Sequence, residues 1–90
     1  MQSDELKTIT GAQMRAGRAL LRWSAEDLAR KSRLGVATIR RGEGQEGAIT
    51  ATFANIQAIR EAFEQAGVEL IPKNGGGAGV RFKDRDCEPG

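Results

Sequence analysis

Residues 24–43, SAEDLARKSRLGVATIRRGE, constrain the fold of this chain more than any other stretch. Ser24 with Asp27 three residues on is a carboxylate variant of the capping box, and Trp23 is placed to staple against Leu28, so a helix starts here. Leu28 and Ala29 form its inward face, and small Ala29 allows close approach by a following helix. Residues 32–34 make a turn and Gly35 stands at the next N-cap. A further helix then runs from Val36 to about Glu43, with Ile39 as its main core anchor. With Ile39 inward, Ala37, Arg40 and Arg41 point most nearly outward. Two short helices held across a three-residue turn, the second presenting two arginines, suit the major groove of duplex DNA.

The flanking segments supply a scaffold. Residues 1–9 are polar and expected to fray. Thr10 is the N-cap of a first helix reaching about Arg22, with Met14, Gly17, Leu20 and Leu21 at helical spacing. Downstream, Gly42, Gly44 and Gly47 break the helical pattern into a flexible loop. Either Thr50 or Thr52 reopens a helix whose Phe53, Ile56, Ile59 and Phe63 form an apolar stripe, closed by Gly67. The period then changes: residues 68–72 and 80–83 read as short strands around a turn at 73–79, a β-hairpin. The run from Asn74 to Gly79 lacks the Lys-Ser/Thr pair of a phosphate loop and precedes a strand, so it reads as a hairpin loop. The expected division is a flexible N-terminus at 1–9, a helical domain at 10–67, the hairpin at 68–83 and a polar tail at 84–90.

Composition narrows the function classes. Ninety residues with 39% apolar side chains support one modest core. The net charge is only +2, but residues 11–45 hold eight basic against three acidic side chains, and residues 46–90 five against seven. The positive field thus falls on the half that holds the two-helix motif, as a nucleic-acid footprint would. With no His, no Tyr and a single Cys, groups for acid–base, nucleophilic or metal chemistry are scarce. No enzyme, cofactor or metal site is expected. No apolar run approaches the ~20 residues of a membrane span, and MQSDELK lacks a signal peptide's apolar region. Together with the lone Cys87, read as an inert thiol, this leads to an expected reducing, cytoplasmic setting.

Three fragments in register resemble the phage repressor and Cro-like helix-turn-helix family of bacterial regulators, the XRE family: Gly11, Met14, Arg15 and Arg18; Ser24, Glu26, Asp27, Leu28 and Ala29; Thr38, Ile39 and Glu43. The resemblance covers roughly residues 11–70. It implies a mainly α fold, a four- or five-helix phage-repressor-like helix-turn-helix domain, with the hairpin at its C-terminal end. It implies a DNA-binding transcriptional regulator that acts as a homodimer on an inverted-repeat operator of double-stranded DNA. Val36, Ala37, Arg40 and Arg41 fall where the family reads bases, and Arg is suited to guanine O6 and N7; for the two arginines, contact with phosphate alone is the other reading. Thr38 falls where the family touches the DNA backbone, and Arg15, Arg30 and Lys31 are charges useful against phosphate. Arg18 and Glu43 match an ion pair that fixes the angle of the recognition helix.

The chain departs from the family at three places. Ala25 stands where Gln usually touches phosphate. Arg33 stands where the turn usually has Gly, so it either takes a positive φ at a cost or the turn is built differently. Gly42 replaces a large apolar residue, which is expected to remove an anchor beneath the recognition helix. The alternative function is a protein-interaction module on the same fold, an antitoxin or anti-activator with weak or no DNA binding, whose partner would be a toxin or another regulator. For the homodimer, the hairpin with Leu70, Val80 and Phe82 is the expected interface: its own core can cover one face, but its short strand edge is left to pair with the same hairpin of a second copy; the rival route is the fourth helix.

Overall fold

The computed structural model describes residues 8–73 and 75–83. The polar segment before Thr8, the tail after Lys83 and its Cys87 lie outside them. Four helices, α1 (Gly11–Leu21), α2 (Ala25–Ser32), α3 (Val36–Glu43) and α4 (Phe53–Gln65), are followed by an antiparallel pair, β1 (Val68–Ile71) and β2 (Gly79–Phe82). The protein is mainly α with a C-terminal β-hairpin.

Local chemistry sets the helix starts. The Thr10 hydroxyl accepts from the Gln13 amide while the Gln13 side chain accepts from the Thr10 amide, and Ser24 and Asp27 make the same reciprocal box for α2. Thr52, not Thr50, caps α4 by accepting from the Asn55 amide. At the far end of α4, Gly67 takes φ 94 and its amide donates to the Glu64 carbonyl at 3.1 Å. Met14, Leu28, Ile39, Ile59, Phe63 and Val68 are fully buried and join the four helices to β1 in one core. The Trp23 ring stacks on Phe63 with centroids 5.9 Å apart.

Several expectations are corrected. Ile9, placed in the frayed N-terminus, is 1% exposed. Thr10 bridges Ala48 in antiparallel fashion, and the Ile49 amide donates to the Ile9 carbonyl at 2.9 Å. Ile9 and Ile49 enter the core side by side, so part of the glycine-rich loop is tied down. Phe53, assigned to the apolar stripe, is 57% exposed at the first position of α4, beyond the edge of the core. Gly42 lies inside α3 and is buried, not in the loop. The strands sit one residue earlier at β2 and end one residue earlier at β1 than their sequence ranges.

The hairpin register pairs Val68 with Phe82, Glu69 with Arg81, Leu70 with Val80 and Ile71 with Gly79. One face is therefore apolar, and the other carries a Glu69–Arg81 ion pair at 3.1 Å. The apolar face packs inward: Leu70 is 4% exposed and Val80 and Phe82 rest half-buried against the same core. Leu70, expected at the dimer interface, thus faces the core of its own chain. Buried Gln13 locks the arrangement, its amide nitrogen donating to the carbonyls of Ile71 and Gly79 at 3.0 Å each. No helix among the described residues is long and apolar enough to cross a membrane.

Candidate nucleic-acid interface

The presentation of α3 depends on how firmly α1 holds it. A Cβ at Gly11 would lie 2.6 Å from the Gln45 carbonyl oxygen and 2.8 Å from that of Gly42, so only glycine lets the first turn of α1 approach the end of α3. Arg18 then grips Glu43 with both edges of its fork: Nε donates to Oε2 at 2.6 Å and Nη2 to Oε1 at 2.8 Å, while Nη1 reaches the Trp23 carbonyl at 2.9 Å. The Arg18 and Glu43 side chains are 22% and 10% exposed. Hydrogen bonding to Glu43 pushes the Arg18 guanidinium further above its ordinary range against the opposing effect of burial, with the fields of Glu43 and Glu26 adding to it. Arg18 therefore stays charged wherever the protein is folded.

Gly42 does not leave a gap. A Cβ there would sit 3.2 Å from the Met14 sulfur and 3.7 Å from Ile49 Cδ1, so these two side chains fill the space that a larger residue would take. The expected loss of an anchor is made good from α1 and the loop. At the turn, Arg33 adopts φ 62, the first of the two alternatives, and its amide and that of Leu34 satisfy the carbonyls of Arg30 and Ala29.

On α3 itself, Ala37, Arg40 and Arg41 are exposed and Thr38 is half-exposed, on the face opposite buried Ile39. Val36, the fourth expected base-reading residue, packs against the core and is only partly accessible. Arg40 Nη2 is ion-paired with Glu26 of α2, whereas Arg41 has no ion pair among the described residues. Of the expected phosphate residues, Arg15 donates from Nη1 to the Glu43 carbonyl and closes the C-terminal end of α3. Arg30 pairs with Asp27 at 2.9 Å beside the start of α2. Lys31 is not brought to the same place: its ammonium stands 5.9 Å from the Trp23 ring and lines a cavity with Ala62 and Gln65 at the far end of α4.

A groove of about 200 Å³ that the sequence reading missed adjoins α3. Thr38, Arg41, Gln45, Thr50, Thr52 and Asn55 are among its lining residues. The Gln45 side chain shapes it by accepting from the Thr50 amide at 2.7 Å. The first turn of α4 opens beside it and carries no acidic residue, so the positive end of that helix is uncompensated there. A signal was present in the sequence: between Gly47 and Arg60 there is no acidic residue but a run of Thr and Asn.

The chain matches no protein-family model and no curated protein.

Proposed function

We propose that this protein is a sequence-specific double-stranded DNA-binding regulator of the phage-repressor, Cro-like helix-turn-helix type, acting as a homodimer on an inverted repeat. The observation that carries the reading is the exposed Ala37–Arg40–Arg41 face of α3, fixed in angle by the Arg18–Glu43 fork behind it. A rigid helix with outward Arg is the geometry that direct readout of guanine requires. The groove beside Arg41, with its hydroxyl and amide side chains and the positive end of α4, supplies neutral and positive donors for a flanking phosphate. Thr38, Thr50, Thr52 and Asn55 join Arg41 in this reading as backbone contacts, and Lys31 leaves it.

Selection of bound sites from random duplex, repeated with Arg40→Ala, tests the assignment. The wild-type chain is expected to enrich a symmetric site containing guanine. Arg40→Ala should cost ~1–3 kcal/mol on that site and relax preference at one position. Recovery of no preferred sequence by the wild-type chain would contradict it.

One observation favours a second reading, a protein-interaction module without strong DNA binding. Glu26 and Asp27 fill the first turn of α2, and Glu26 neutralises Arg40. The same selection separates the two, because an interaction module would enrich nothing.

A further inference from the structure

Two neighbouring arginines on α3 are in different electrostatic states. Arg40 is engaged by Glu26 across fourteen residues of chain, and Arg41 is not ion-paired among the described residues. Among the described residues, Arg40 is the hydrogen-bond partner of the Glu26 side chain. Its neighbour Asp27 is the carboxylate that closes the α2 cap, accepting from the Ser24 amide and from Arg30. The Glu26 and Arg40 side chains are 58% and 60% exposed, and a pair this exposed contributes little to stability. Its consequence falls instead on what Arg40 can bind.

We propose that Glu26 is a specificity-determining residue of the α3 surface, one that withholds Arg40 from phosphate and leaves it available to guanine. This rests on the DNA-binding reading above and extends it to a residue outside the recognition helix. A phosphate is held mainly by net charge, and a neutralised Arg40 offers little; the Glu26 carboxylate also repels the phosphate directly. Guanine presents two in-plane acceptors and no charge, and it needs a correctly held fork. A guanidinium has five N–H donors. Glu26 takes a hydrogen at Nη2 and fixes the plane, which leaves donors on the rest of the fork for O6 and N7. Arg41, without such a partner, is the cation for the groove and the DNA backbone beside it.

The test compares Glu26→Gln with the wild-type chain on the selected site and on random duplex, at several salt concentrations, in the native and the Arg40→Gln backgrounds. The substitution is expected to raise affinity for random duplex severalfold. It should also steepen the salt slope there by about one phosphate contact, ~0.9 on a double logarithmic plot. Affinity for the selected site should rise less, and guanine preference at one position should relax. In the Arg40→Gln background the same change should leave base preference unaltered. An equal gain on both DNAs, or an unchanged guanine preference in the native background, would overturn the role of Glu26 while leaving DNA binding intact. A wild-type chain that bound no duplex at any salt would overturn the DNA-binding reading and this inference with it.

Discussion

Arg33 holds the turn between α2 and α3 at φ 62, and Arg22 closes α1 at φ 58. The left-handed region costs a non-glycine residue about 1–2 kcal/mol, while glycine loses about 0.5–1 kcal/mol more conformational freedom on folding. Arg33→Gly is therefore expected to stabilise the fold by about 0.5–1 kcal/mol in a denaturant melt, with the same helical content. The Arg18–Glu43 fork lies between a surface pair, worth ~1 kcal/mol or less, and a fully buried pair, whose breaking costs ~3–5 kcal/mol. With Glu43 only 10% exposed at its side chain, Arg18→Ala should cost about 2–4 kcal/mol. It should also loosen α3, seen as faster amide exchange over Val36–Glu43 than over α4. An unchanged melt would show that the fork does not hold the helix.

At the level of elements, what could be read from the chain was what is local. The Thr10, Ser24 and Gly35 caps, the Ile39 anchor and the Gly67 terminator each depend on residues within one turn of themselves, and each helix forms where those signals stand. Burial of Ile9 and Ile49 depends on a bridge between segments some forty residues apart, which no periodicity announces. Gln13 and the Glu26–Arg40 pair were hidden for the same reason, since their partners are brought close only by the tertiary fold. Phe53 failed differently: a stripe counted on a helical wheel says nothing of where the core stops along the axis. The α2 cap also has a pH signature. Hydrogen bonds from the Ser24 amide first, then from Arg30, hold the Asp27 carboxyl below its ordinary value of 3.8. Its contribution is thus fully present above that value and is lost as pH falls below it, through the folded-state titration. Helix stability should decline over this acid range in the wild-type chain, and Asp27→Asn should flatten that part of the profile. A wild-type profile already flat below pH 4 would contradict the capping role.

For the molecule as a whole, the hairpin closes the core of its own chain, and the basic charge gathers on the helical half. The eight-to-three basic excess across residues 11–45 lies on α1, α2 and α3 and at the caps Arg22 and Arg33 that close the first two. The structure sorts these charges into distinct tasks: Arg15 and Arg18 brace α3, Arg30 and Arg40 are held by carboxylates, and Arg41 faces the groove. The sequence alone showed the excess but not this division, because it cannot tell a bracing arginine from a free one. If this face binds the backbone and bases of duplex DNA as proposed, a fluorescence-anisotropy titration of labelled duplex across ~50–200 mM salt will show it. Binding should weaken by at least about tenfold over that range, as release of several counterions from neutralised phosphates requires. Absence of binding at the lowest salt, or an affinity that did not change with salt, would contradict it.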